Sequence, residues 1–318
     1  MEPTPRDVHI DAALTDFSIA YIQDATNFVA DRVFPRVPVR HMTDKYWIFD
    51  KNDYRRDDAV KKRAQGQAAP RSGFRLSQDS YSADSWWTEI PISDLLTRNA
   101  DPAIQLDQIA TEVVTQRMLI RRERLFASEF FTTGVWGTDV VGGTDFTVWS
   151  DYASDPQKNI DTAKEAILVE TGRMPNKLTV GYKVHNALKR HPSIKDLYKY
   201  TSAESITEAM IANALELEEY IVAKASYSSN QEGAAAVEGF ITGNNALLTV
   251  SDNAQSIMQP SAGAVFDWSE LNGVSNFGVG IDQYYDQKTK DDIIRGEFAF
   301  DMKVTGADLG YFFSGAIA

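Results

Sequence analysis

The stretch GRMPNKLTVGYKVHNALKRHP, Gly172 to Pro192, holds two of the chain's four histidines and five cationic side chains. Histidine is the side chain suited to proton transfer near neutrality, and a histidine pair on one helical face can hold a metal. Here His185 and His191 are six residues apart, about 240° around a helix, so they address different faces and cannot chelate one ion as an i, i+4 pair would. They read as surface or half-buried residues of a helix whose solvated side carries Lys183, Lys189 and Arg190 opposite Val184 and Leu188. His9 and His41 fall in arm segments.

The remaining chemical candidates weaken in the same way. Adjacent carboxylates stand at Asp57 and Asp58, Glu218 and Glu219, and Asp291 and Asp292. Neighbouring side chains diverge on a helix and on a strand, so these pairs read as solvated charge. GVSNFG, Gly273 to Gly278, departs from the G-x-S-x-G nucleophile elbow, and GVGIDQ lacks the third glycine and the helix of a dinucleotide fingerprint. The chain has no cysteine, which removes thiolate catalysis, cysteine-ligated zinc and disulfides together. No catalytic, cofactor-binding or metal-binding residue is assigned, and the chain is expected not to be an enzyme.

The elements that would carry a site are clearer than the site. DFSIAYIQDATNFVADRVFPRVPV reads as a short helix running into an extended arm at Pro35 and Pro38. From Asp44 to Asp94, YWIF and YSADSWWTEIPI have strand character and flank a charged middle, which describes a long two-stranded ribbon. A ribbon of that length is marginal alone and is expected to lie on something else. DPAIQLDQIATEVVTQRMLIRRERLFASEFFTTG predicts a long helix capped by Asp101, with Pro102 in its first turn and Gly134 closing it. About 30 residues make a rod on the order of 45 Å. DPQKNIDTAKEAILVETG predicts a second capped helix, Asp155 to Gly172. KLTVGY then predicts a strand, KVHNALKRHP a helix stopped by Pro192, SITEAMIANALELE a helix, and EYIVAKASY and NALLTV strands, so that residues 155–260 form an α/β unit. The closing segment from Gly278 reads as long strands.

Size and charge agree with a folded, self-associating chain. The 318 residues are 43% hydrophobic and 24% charged, an ordinary globular composition with room for two domains. No run approaches a membrane helix, no signal peptide or Asn-x-Ser/Thr sequon is present, and a cytosolic origin is the default. The net charge of -13 argues against tight general binding to nucleic acid. Against that background Lys51 to Arg75 is strongly basic, and complementary patches of this kind suit association between copies of one chain. The long helix carries Arg117, Arg121, Arg122 and Arg124, which serve either intrahelical pairs with Glu123 and Glu129 or a charge seam against a neighbouring subunit. Trp47, Trp86 and Trp87 at the base of the ribbon serve either core packing or, the preferred reading, a subunit contact.

The ordered set resembles the major capsid proteins of tailed bacteriophages, which share the Hong Kong 97-like fold. FSIAYIQDATNFVADRVFPRVPV is similar to the N-terminal arm of one branch of that family, the charged ribbon to its extended loop, and the helix from Asp101 to its spine helix. PNKLTVGYKVHNALKRHPSIKDLYKYT carries the most specific likeness, to the strand, helix and His-Pro stop of the axial domain; NNALLTV and VTGADLGYFFSGAI agree with it. The resemblance implies an α+β fold with an N-terminal arm (1–43), an extended β-ribbon loop (44–95), a peripheral domain (96–154) with a spine helix over 102–133, an α/β axial domain (155–275), and C-terminal strands (276–318) returning to the peripheral domain.

It implies a geometric function: pentamers and hexamers closing an icosahedral shell around double-stranded DNA, with the extended loop on a neighbouring subunit, in a virion assembled in the host cytoplasm. Expected subunit-contact residues are Trp47, Arg55, Arg56, Lys61, Lys62, Arg63, Trp86, Trp87, Arg117, Arg121, Arg122 and Arg124. The arm starts near Met1, so the expected partners are copies of the chain, a separate scaffolding protein, a portal, a decoration or cement protein, and packaged DNA in weak non-specific contact; no membrane and no cofactor is expected. Lys51, Lys61 and Lys62 lie in the loop, but no Asn and Glu match the family's crosslinking set, and crosslinking is not expected. The rival readings are a shell protein of an encapsulin-type nanocompartment and, below it, a two-domain α/β enzyme.

Overall fold

The computed structural model describes residues 23–62, 65, 68, 71–99, 105–198, 206–229, 233, 235, 237–252, 260–270 and 280–318. Residues 1–22 of the expected arm, Arg63, the expected cap at Asp101 and Pro102, and GVSNFG lie outside the described residues.

The arm enters through a 3-10 turn, Ala25–Asn27, opened by Asp24, whose side chain accepts from the Thr26 N–H. Helix α1, Ala30–Val33, follows, and the pattern VADRVF buries Val29, Ala30, Val33 and Phe34, leaving Asp31 half-buried and Arg32 exposed. Strand β1, Arg36–Val39, then runs parallel to β11, Gly263–Trp268, so the extended arm is built into a sheet here. Pro38 is tolerated because β1 is an edge strand.

The ribbon pairs β2, Thr43–Phe49, antiparallel with β3, Leu76–Ser82, in register from Thr43 opposite Ser82 to Phe49 opposite Leu76. Helix α2, Lys51–Arg55, starts at Asp50, which caps it by accepting from the Asn52 N–H. The ribbon ends earlier than expected. The chain passes through the buried Ala83 into β4, Asp84–Ser93, which leaves the ribbon and pairs antiparallel along β13, Asp291–Val304. The reason is burial: β13 presents Ile294, Phe298 and Phe300 to the core, a row that Trp86 and Ile90 of β4 extend.

Helix α3, Asp94–Asn99, precedes α4, Leu106–Phe130, whose 25 residues span about 38 Å. The helix stops short of the expected 133, because the Phe131 side chain turns into the core and the Trp136 indole N–H takes the Phe130 carbonyl at 2.8 Å. Gly134 serves the following turn, at φ +84°.

A second sheet forms beyond it. Strand β5, Thr138–Val141, is followed by α5, Pro156–Thr171, bounded as the sequence predicts by Asp155, which accepts from the Lys158 N–H, and by Gly172 in the left-handed region. Then come β6, Lys177–Gly181; α6, Tyr182–Arg190; α7, Pro192–Tyr198; α8, Glu208–Ala214; β7, Glu219–Ala223; the hairpin β8, Ser226–Ser228, with β9, Glu238–Phe240; and β10, Ala246–Thr249. Pro192 stops α6 and also starts α7, the first-turn position where a missing N–H costs nothing. After β11 the chain adds β12, Gly280–Asp286, then β13 and β14, Gly310–Ser314.

Two five-stranded sheets result. One is ordered β1-β11-β13-β12, with β4 on the other side of β13 and α4 against it. The other is ordered β5-β14-β10-β6-β7 and is flanked by α5 and α6. A continuous hydrophobic cluster joins them.

Candidate functional site

The two histidines that opened the chemical search are buried, which corrects the expectation of surface or half-buried positions. His185 Nδ1 lies 3.1 Å from the Tyr220 hydroxyl, and burial lowers its pKa from the ordinary histidine value. His191 sits between α6 and α7, 2.7 Å from the Ser193 hydroxyl and 3.2 Å from that of Ser154. Both use these hydroxyl contacts to join elements of the α/β unit. Among the described residues no cluster of His, Asp and Glu could hold a metal.

The arginine row divides three ways. Arg122 is 2% exposed and turns inward to Asp31, at 2.8 Å, and Asp267, at 3.5 Å. That overturns its place in a seam between subunits. Its intrahelical neighbour Glu123 is buried and accepts the backbone N–H groups of Val29 and Ala30. Arg121 lies flat over the Trp86 ring, 4.2 Å from its centroid, and is half-buried. Arg124 stacks on Tyr227 of β8 at 4.7 Å, and Arg117, two turns earlier, is exposed on the same side of α4.

The tryptophans part by strand alternation. In β4, Trp86 packs against the core and Trp87 points outward, 75% exposed. Trp86 is therefore a core residue, against the preferred reading of it as a subunit contact. Trp47 stands on the ribbon, 58% exposed. The ribbon's two faces differ. One carries Tyr46, which packs with Tyr81 around Phe266 of β11 at centroid distances of 5.4 and 4.7 Å. The other carries Trp47 and Phe49 of β2 with Leu76 of β3, and Trp47 and Leu76 lie exposed there.

The basic tip is partly used within the chain. Arg55 donates to the Glu170 and Val169 carbonyls at the end of α5, where a cation also suits the helix dipole. Arg56 pairs with Asp53 at 2.8 Å, and Lys51 bridges Glu170, at 2.8 Å, and Asp308, at 2.5 Å. Arg55 and Arg56 thus have contacts within the chain, and both remain exposed. Lys61 and Lys62 are exposed.

Sequence reasoning missed the burial of Glu123 and passed over Asp31, Asp267 and Lys177. A signal existed for the first: Met118, Arg122, Phe126 and Phe130 recur every four residues, as do Leu119 and Glu123, so both charges fall on the buried stripe of α4.

No protein-family model matches the chain. It is 26% identical to the major capsid protein of Pseudomonas phage JBD67, with 97% of each chain aligned, and 24% identical to that of Burkholderia phage BcepMu, with 96% of each. Among solved structures it superposes on a phage-related protein of Bordetella bronchiseptica RB50 with a TM-score of 0.69 and 26% identity, covering 96% of this chain and 97% of that one. It superposes on a chain of the cyanophage P-SCSP1u capsid with a TM-score of 0.62 and 9% identity, covering 97% and 93%. The arm, ribbon, long helix and two sheets are thus the Hong Kong 97-like capsid fold, α+β as the sequence resemblance implies. Within that fold class the chain is similar along nearly its whole length to proteins named as phage major capsid proteins.

Proposed function

We propose that copies of this chain associate as pentamers and hexamers and close an icosahedral head around double-stranded DNA, assembling in the host cytoplasm. The observation that carries this reading is the half-anchored ribbon. One face is fixed on Phe266, and the other leaves Trp47 and Leu76 exposed on a two-stranded unit that needs cover. A second copy of the chain is the cover we assign to it, with the exposed Lys61 and Lys62 meeting acidic surface there. Trp87, Arg117 and Arg124 are further contact residues on this reading, while Arg55, Arg56, Trp86, Arg121 and Arg122 act inside the chain.

The arm, the ribbon, the α4-bearing sheet as peripheral domain and the β6-bearing sheet as axial domain are the working divisions. A separate scaffolding protein, a portal and a cement protein are the partners this role calls for. The acidic balance, -13 in all, keeps contact with packaged DNA weak. Relatives named as phage major capsid proteins support DNA as the cargo over the enzyme cargo of a nanocompartment.

The test is electron microscopy with light scattering on the chain expressed alone and with a candidate scaffolding protein. Closed shells, capsomer rings or tubular heads are expected. A uniform monomer or dimer in both preparations would overturn the proposal.

A further inference from the structure

Helix α1 is four residues long, too short to be stable by itself. Its apolar side is buried, and the Phe34 ring after it sits 4.5 Å from Phe130 and 6.1 Å from Phe126 of α4. Its ends are gripped by charged side chains from the two separate sheets' elements. At the start, Oε2 of Glu123 on α4 accepts the N–H groups of Val29 and Ala30, both at 3.0 Å. At the finish, Nζ of Lys177 on β6 donates to the Arg32 carbonyl at 2.8 Å, and the Ser251 hydroxyl donates to the Val33 carbonyl at 2.5 Å. An anion at the start and a cation at the finish both suit the helix dipole. Ion pairs repeat the arrangement at the flanks, Asp31 with Arg122 at 2.8 Å and Arg32 with Glu219 at 2.9 Å.

We propose that α1 is a releasable pin between the two sheets, and that the protonation state of Glu123 sets how tightly it holds. Glu123 and Lys177 are both almost wholly buried where they meet α1, and Lys177 also pairs with Glu219 at 3.5 Å. Burial pushes the Glu123 carboxyl up to about 7; the N–H groups of Ala30 and Val29 pull it down, Asp31 pushes it up and Arg122 pulls it down. The charged groups around it are Arg122 on its own helix, Asp31 on α1, and Asp267 of β11, which also pairs with Arg36 of β1. Oε1 has no hydrogen-bond partner among the described residues and is free to carry the proton while Oε2 keeps both bonds.

On this proposal, release of the arm opens the carboxyl to water and returns it toward the ordinary value of 4.5, so docking takes up a proton. The stabilisation is therefore complete below about pH 4.5 and is lost as pH rises through about 7.

The experiment is amide hydrogen exchange on the full unassembled chain between pH 5 and pH 8, corrected for intrinsic rates, in wild type, Glu123→Gln and Lys177→Met. In wild type the opening of the Val29 to Val33 segment should grow roughly 50- to 100-fold across that range. Glu123→Gln, neutral throughout, should stay protected at pH 8 and lose the slope. Lys177→Met should open the same segment at both ends of the range and keep the slope, while β10 stays protected. A flat wild-type profile, a Gln variant less protected than wild type at pH 8, or loosening shared equally by β10 would overturn the proposal. If Lys177→Met does not fold, the first two chains decide. The readout needs no shell, so failure to assemble leaves it intact.

Discussion

The sheet that carries β6 and the ribbon that carries Trp47 are built to different standards of completeness. Every residue of β6 and β10 is buried, and α5 and α6 cover the sheet. In β2 and β3 most positions are exposed, and only the face toward Phe266 is held. The first region satisfies itself within one chain, as a strand buried on both faces must. On the proposed reading, a second copy of the chain completes the second region. A single polypeptide can thus contain a finished domain and an unfinished contact, and the contrast predicts which substitutions act on folding and which on assembly.

The largest effect should fall in the finished sheet. Leu178→Ala removes a fully buried side chain from β6 and should lower unfolding stability by about 2–5 kcal/mol, read by urea denaturation. An unchanged midpoint would break the comparison at its root.

Trp86 and Trp87 test it within two adjacent residues. Trp86→Ala loses core contact and the Arg121 stack and should cost about 2 kcal/mol, whereas Trp87→Ala should stay within about 0.5 kcal/mol in the same titration.

Arg55→Ala asks whether the ribbon tip is held in the isolated chain. It removes the contacts to the end of α5 and should cost about 1 kcal/mol, with faster amide exchange confined to α2 and the last turn of α5. Trp47→Ala should change stability least, within about 0.5 kcal/mol, yet abolish or slow particle formation in light scattering. Normal assembly by that variant would mean the bare face of the ribbon is not a contact.

Legibility followed the range of the determining contacts. Helix α5 matches its sequence reading at both ends, because Asp155, Pro156 and Gly172 are local signals that act through neighbouring backbone groups. The ribbon's second strand could not be divided at Ala83 from sequence, since the competing partner for residues 84–93 is β13, far along the chain. The histidines looked solvated because their helix is rich in cations, and burial came from Tyr220 and Ser154, which periodicity does not reveal. Arg122 was misread for the same reason: its two carboxylates come from α1 and β11. The clue at hand was position, a charge on an apolar stripe. Composition outweighed it.

Strand β13 has a further consequence for the order in which a newborn chain can fold. Among the described residues it is the one strand paired with β4, and it also pairs with β11 and β12. During synthesis β4 emerges long before β13 exists, with Trp86 and Trp87 on an unpaired strand. Pairing at such a distance is slow, and an open aromatic strand is prone to aggregate. The nascent chain therefore passes through an interval in which a chaperone would find an aromatic strand uncovered, and the yield of folded chain depends on how short that interval is.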